Sequence, residues 1–402
     1  MTEFNPDNGQ VVLKPRKSGP FFARHPWVLD ASVQNVVGDP PDGAAVDLVT
    51  DKGQFVARGI YNSHSRIRVR LYSWTAGTPL DDALWRGRLD LALALRRQLG
   101  YTAQDDACRL VFSEADSLSG LIVDRYGEDL VVQLTARAMA QRLDSLTDLL
   151  VELAQPRGIL VRTDRQIAQT EGFEPRDGVL WGQPADGTTT IRQHGVVFHV
   201  DFREGQKTGF YLDQRENRLA AARYLAGRRV LDVCCYSGAF GLTALRHGPA
   251  RELVGIDASA KAVAAASVNA ELNGLSERAV FRVGDCFEAL EQAATAGERF
   301  DAVILDPPRF AGSRRVVEQA LAAYHRLNRL AVRVLEPAGI LVTCSCSGHV
   351  TREDFRDMLA GVSQRTGRDI QVLEQRAAAP DHPAIASCPE TEYLKCLVCR
   401  VL

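Results

Sequence analysis

The sequence lacks any apolar run approaching the length of a membrane span, and its first twenty residues carry no apolar signal core. A cytoplasmic chain is expected, with no membrane partner. Repeats and low-complexity tracts are absent, which excludes a solenoid and large-scale disorder. Neither sign of charge dominates: 48 Lys and Arg against 50 Asp and Glu leave a formal net charge of −2. Any nucleic-acid contact must therefore come from local basic surfaces. A disulfide framework is also missing, because the nine cysteines are unevenly spaced and crowd toward the C-terminal half, as reduced thiols would. Cys396 and Cys399, with Cys388, invite a metal reading. No second pair completes a tetrahedral set, and strand residues three apart face opposite sides, so no metal centre is expected. What remains is a 402-residue chain, 46% hydrophobic and 24% charged, long enough for two or three domains with ample cores.

Residues 1–73 alternate β-patterned runs with turn signals, among them Asp39-Pro40-Pro41-Asp42-Gly43 and Asp51-Lys52-Gly53. Ala45 to Thr50 and Gln54 to Ile60 read as a hairpin, and Ile67-Arg68-Val69-Arg70-Leu71 alternates apolar with basic. Arg68 and Arg70, with Lys14, Arg16, Arg24 and Trp27, are candidates for contacting phosphates and stacking on bases. A solvated strand face with a core tryptophan is the alternative. HPWVLD together with GQFVARGIYNSHSRIRVRLYS resembles the PUA domain, a small RNA-binding barrel, which favours RNA. Residues 74–190 open with an amphipathic helix from Asp81 to Leu99. Strands from Cys108, Leu121 and Leu130, a helix over Met139 to Leu153 and a strand from Gly158 follow, an α+β middle domain without evident chemistry.

From residue 191 onward, strands alternate with helices, which predicts a parallel sheet covered on both faces, a Rossmann-like α/β domain. Its first unit is VLDVCCYSGAFGLTAL, Val230 to Leu245, a buried strand entering a glycine-bearing turn and a helix. Gly238 and Gly241 either let a ligand approach the backbone or satisfy strand–helix packing. Asp257 lies about twenty residues beyond the turn, the offset at which an acid accepts ribose hydroxyls. With Asp285, Asp306 and Cys344 to Ser347 it falls at the carboxyl edge of the sheet, where ligands bind in open α/β folds.

Asp306-Pro307-Pro308-Arg309-Phe310 is stiff and rich in acceptors, because prolines fix φ and withhold N–H groups. It suits holding a base edge, with Phe310 either stacking on the base or anchoring the loop, and Asp306 either binding the base or capping the loop. An acid-Pro-Pro-aromatic loop after the fourth strand resembles motif IV of class I S-adenosylmethionine-dependent methyltransferases. Leu341 to His349, LVTCSCSGH, then adds two thiols. C5 of cytosine cannot attack a methyl sulfonium until a nucleophile adds at C6, and a cysteine thiolate does this well.

GQKTGFYLDQR (Gly205 to Arg215), VLDVCCYSGAF, DPPRF, TCSCSG and DHPAIASCPETEYLKCLVCRV together make the chain resemble, over nearly its full length, the ribosomal RNA large subunit methyltransferase I family. The resemblance implies 5-methylcytosine formation in 23S ribosomal RNA with S-adenosyl-L-methionine, and leaves room for a homodimer. It implies Cys346 as nucleophile, with Cys344 as fallback, and Arg309 where related cytosine methyltransferases carry a second cysteine. It further implies Asp232, Tyr236 and Gly238 at the methionine end of the cofactor, Asp257 at its ribose and Asp285 at its adenine amine. Lys207, Thr208, Gly209 and Tyr211 would cover it, and Asp306 would hold the N3/N4 edge of the cytosine. Arg309 and Phe310 join the RNA contacts. A base N-methyltransferase without a covalent intermediate and a non-catalytic RNA-binding assembly factor are the alternative readings.

Overall fold

The computed structural model describes residues 9–101, 106–202 and 209–402. These form two compact units. The first takes the described residues of Met1–Thr189, Val200–Phe210 and Pro380–Thr391; the second takes Thr190–His199, Tyr211–Ala379 and Glu392–Leu402. No described helix is long and apolar enough to cross a membrane.

In the first unit a six-stranded sheet runs in the order Trp27–Leu29, Ile67–Ser73, Phe55–Tyr61, Ala45–Val49, Gln10–Leu13, Val33–Val37. The hairpin over Asp51-Lys52-Gly53 forms as its residues predict: Gly53 takes φ +79°, and Thr50 Oγ1 accepts the amides of Lys52 and Gln54. Val11, Leu13, Val46, Leu48, Val69 and Leu71 fill its core. A five-stranded sheet follows, ordered Gly178–Gly182, Gly158–Thr163, Asp129–Leu134, Leu121–Tyr126, Ala107–Phe112. Helix Asp82–Gln98, capped by Asp81, packs Trp85, Leu89 and Leu93 into the core of this sheet.

One local reading changes. The helix expected over Met139 to Leu153 is divided into Arg137–Ala140 and Leu143–Ala154, because the Arg142 amide closes a tight turn on Met139 O (3.1 Å). The stretch after Gly158–Thr163 is a helix, Arg165–Glu171, whose first amides are accepted by Asp164 at 2.9 and 3.1 Å.

The second unit is built on a seven-stranded sheet: β1 (Arg229–Val233), β2 (Glu252–Asp257), β3 (Ala279–Val283), β4 (Phe300–Leu305), β5 (Leu335–Ser345), β6 (Ile370–Arg376) and β7 (Lys395–Val401). Its order is β3-β2-β1-β4-β5-β7-β6; β1 to β5 are parallel, and β7 is antiparallel to both β5 and β6. Helices α1 (Ala239–His247), α2 (Ala260–Leu272), α3 (Cys286–Thr295), α4 (Val317–Val334) and α5 (Arg352–Thr366) belong to it, as does a shorter helix, Arg215–Ala222, that precedes β1. Ser259, Asp285 and Thr351 cap α2, α3 and α5 with their side chains. Against β4 and β5, α4 buries Tyr324, Leu327, Leu330 and Val334, each apolar side chain contributing about 1.5–3 kcal/mol. The first five strands all run toward one edge, and their ends gather Asp257, Asp306 and Cys346 there.

Candidate active site

β1 ends in a left-handed run: Cys234 (φ +60°), Tyr236 (φ +48°) and Gly238 (φ +77°). Non-glycine residues in that region carry about 1–3 kcal/mol of strain each, so the turn must be held from outside. Three bonds hold it, from Cys235 N to Ile256 O (3.0 Å), Gly238 N to Cys235 O (2.8 Å) and Tyr236 N to Asp257 Oδ2 (2.9 Å). The two alternatives for the glycines separate here. A Cβ on Gly241 would stand 2.4 Å from Leu253 Cδ2, and one on Gly238 3.0 Å from Phe281 Cζ, so the space at both is filled from within the protein.

Asp232, inside β1, is 1% exposed. Its Oδ2 accepts the Gly241 amide at 2.9 Å, while Oδ1 is buried with no hydrogen-bond partner. Burial pushes its carboxyl up to about 7, against the Gly241 amide, with Asp306 and Asp257 adding like charge. Asp257 accepts Tyr236 N through one oxygen and Ser259 N through the other, at 2.9 Å each. Asp285 is exposed and spends Oδ1 on capping α3. Asp306 Oδ1 accepts Gln214 Nε2 at 3.0 Å, the end of a relay in which Arg376 donates to Asn217 (3.0 Å) and Asn217 to Gln214 Oε1 (2.6 Å). The Tyr211 ring meets that of Tyr236 edge-on at 5.3 Å. Burial raises the Tyr211 hydroxyl, helped by the charges of Asp306, Tyr236 and Cys346.

The two thiols of TCSCSG have unlike surroundings. Cys344 is fully buried opposite Cys396 on β7, and burial together with the Cys396 thiol raises it well above the ordinary thiol value. Cys346 is half-buried, one residue beyond β5. Its flanks are fastened: Ser345 Oγ donates to Tyr324 Oη (3.0 Å), Tyr324 Oη and Ser347 Oγ lie 3.1 Å apart, and Ser347 Oγ accepts the Ala311 amide (3.1 Å). Phe310 takes the anchoring alternative, its ring 4.7 Å from Tyr324, half-buried against the core. Arg309 is exposed. Lys207 and Thr208 lie outside the described residues, and Gly209 takes φ +131°.

The basic candidates of the first unit divide. Lys14, Arg16 and Arg24 are exposed, Lys14 Nζ reaching Ala31 O and Arg24 lying 5.8 Å from the Trp74 ring. Arg70 is withdrawn from the surface at 7% exposure, paired with Glu114 (3.3 Å) and Glu171 (3.1 Å). Arg68 donates to Ser63 O, and Trp27 Nε1 donates to Glu114 at 2.9 Å, half-buried. The strand face read as cationic is thus spent in part on internal ion pairs, which strict alternation cannot reveal. One acidic-thiol-imidazole group also forms, His25, Cys388 and Glu390, with ligand atoms within 4.8 Å. The Trp27 amide points at His25 Nδ1, leaving Nε2 to carry the proton toward Glu390, so the geometry is that of hydrogen bonding rather than metal ligation.

Gln214, Tyr324 and Lys395 are the site residues that sequence reasoning misses. Gln214 sits in the YLDQR stretch and Lys395 in EYLKC, but only the fold brings them to Asp306 and Cys346.

A family model described as a PUA-like domain matches residues 11–74, and one described as an S-adenosylmethionine-dependent methyltransferase matches residues 114–400. The ribosomal RNA large subunit methyltransferase I of Tolumonas auensis is 38% identical over 394 residues, 98% of this chain and 99% of that protein. That of Aeromonas hydrophila is 39% identical over 395 residues, with the same coverage. Among solved structures, a candidate SAM-dependent methyltransferase from Streptococcus mutans and a candidate methyltransferase complexed with SAH each match with a TM-score of 0.84. Both are 19% identical and cover 97% of this chain and 99% of theirs, a likeness of fold.

Proposed function

The chain belongs to the S-adenosylmethionine-dependent methyltransferases of the ribosomal RNA large subunit methyltransferase I family, and from that premise we propose that it methylates C5 of a cytosine in 23S ribosomal RNA through a covalent adduct of Cys346. The coarser activity, methylation of ribosomal RNA with S-adenosylmethionine, follows from the family. The finer one rests on one observation: of the two thiols of the TCSCSG stretch, Cys346 alone is accessible, and its flanking serines are fastened to Tyr324.

The residues fit the cofactor. Asp232 Oδ1, buried and unpartnered, matches the ammonium of a methionine moiety, and Tyr236 and Gly238 are assigned to the same end of the cofactor. Asp257 keeps lone pairs for ribose hydroxyls, and Asp285 an oxygen for the adenine amine. Gly209 and Tyr211, with Lys207 and Thr208, are assigned to its cover. When bound, S-adenosylmethionine supplies an electrophilic methyl group on a sulfonium sulfur.

Asp306, oriented by Gln214, holds the N3/N4 edge of the cytosine and favours the protonated ring. Cys346 then adds at C6 as thiolate, and the ring electron pair moves to C5, which becomes nucleophilic. After C5 is methylated, its proton leaves to a base or water and the thiolate is expelled, restoring the ring. Exposed Lys14, Arg16, Arg24 and Arg309, with Trp27 and Arg68, are assigned to the RNA. That substrate sets the enzyme where ribosomes are assembled, in the cytoplasm.

Bisulfite mapping of ribosomal RNA tests this reading. One cytosine of 23S RNA is expected to resist conversion in cells carrying the wild-type gene and to convert with Cys346→Ala, a loss of at least about a thousandfold in rate. A methylated product from Cys346→Ala would point instead to methylation on nitrogen.

A further inference from the structure

A cysteine titrates near about 8.5 in water, so a nucleophilic thiol at neutral pH needs a positive charge close by. Buried beside Cys346 is a lysine that the steps above do not use. Lys395 opens β7 opposite Ser345 of β5, and is 3% exposed. Its Nζ donates to Ser347 O at 2.6 Å and to Tyr393 O at 2.8 Å, two carbonyls that fix the ammonium against the strand end carrying Cys346. Among the described residues no carboxylate forms an ion pair with it, and a buried ammonium held by carbonyls alone is an ion without a counter-ion.

The charges around the pair are few. Burial lowers the ammonium to about 8; Cys346 is the foremost charge opposing that drop, ahead of Arg352, which repels it, and Glu392 and Asp354, which attract it. Arg352 and Glu392 are bound to each other, and Asp354 is turned to the Thr351 amide in the α5 cap, so both carboxylates are engaged elsewhere. From the other elements, Tyr211 and Tyr324 feel the Cys346 charge.

We infer that Lys395 is a positioning residue for the methyl transfer, its ammonium pinned between the Ser347 and Tyr393 carbonyls as the counter-charge that holds Cys346 as thiolate. The thiol proton passes to solvent, and the lysine keeps its own. The inference rests on Cys346 being the nucleophile.

The test is the pH dependence of Cys346 alkylation by iodoacetamide in the full chain, read by mass spectrometry of the Cys346 peptide. The wild-type midpoint is expected below about 8.5. Lys395→Met should raise it by at least about one unit, a tenfold loss of thiolate at neutral pH, and Lys395→Arg should restore most of it. The acid limb of the methylation rate should move up in pH with the thiol midpoint. A wild-type midpoint at or above about 8.5 overturns the inference whether or not Lys395→Met folds, and so does a folded Lys395→Met whose curve overlies the wild type. Methylation surviving in Cys346→Ala would instead remove the proposed function while leaving the charge pairing to be read in the alkylation curves.

Discussion

Asp232 has a carboxyl group that burial holds up near 7, with one oxygen facing no donor. Its folded value stands above the unfolded one of 3.8, so in the ligand-free chain its contribution to stability is full at acid pH and is lost as pH rises through about 7. A ligand ammonium reverses that preference by stabilising the carboxylate. Calorimetry should therefore show S-adenosylmethionine affinity rising as pH goes from about 6 to about 8, with proton release at the acid end. Asp232→Asn should bind at least about tenfold more weakly and without that pH dependence. Flat wild-type binding across the range would contradict the assignment. Asp232 was named in sequence only through the resemblance of VLDVCCYSGAF to the family, which implied its place at the methionine end of the cofactor. The settings of Arg70 and Lys395 were not legible: the one is neutralised by Glu114 and Glu171, and the other is held near Cys346 by the carbonyl of Ser347, 48 residues away in sequence, which no local pattern announces.

At the scale of elements, periodicity and caps carried the reading where a face is buried. The helix over Asp82–Gln98, the hairpin at Asp51-Lys52-Gly53 and the edge formed by β1 to β5 all follow from spacing and turn chemistry. α5 and β6 went unread although Thr351 and Asp354 form a capping box, since α5 is mostly polar and β6 largely exposed. The glycine turn was read with two meanings, and packing selects between them at Gly241, where Leu253 fills the space a side chain would need. Gly241→Val should destabilise the chain by about 1–3 kcal/mol in denaturant titration. Gly87, exposed in helix Asp82–Gln98 with nothing within 4 Å of its would-be Cβ, gives the opposite sign: Gly87→Ala should stabilise by about 0.5–1 kcal/mol. Equal effects at the two positions would contradict the packing argument.

For the whole molecule, a net charge of −2 leaves RNA recognition to local surfaces, and the described first unit offers Lys14, Arg16 and Arg24 in exposed positions. The family is legible from five separated stretches, because a site assembled at strand ends leaves short motifs at intervals set by the fold. What those motifs cannot carry is the chemistry of the accessible thiol, which depends on Cys346 being open while Cys344 is sealed against Cys396. Trapping addresses that point most directly. The full chain would be incubated with S-adenosylmethionine and a 23S transcript containing 5-fluorocytidine, whose C5 fluorine cannot leave as a proton. The expected result is a denaturation-resistant chain–RNA adduct that maps to Cys346 and is absent with Cys346→Ala. A chain that methylates the unfluorinated transcript yet forms no such adduct would contradict covalent catalysis at Cys346.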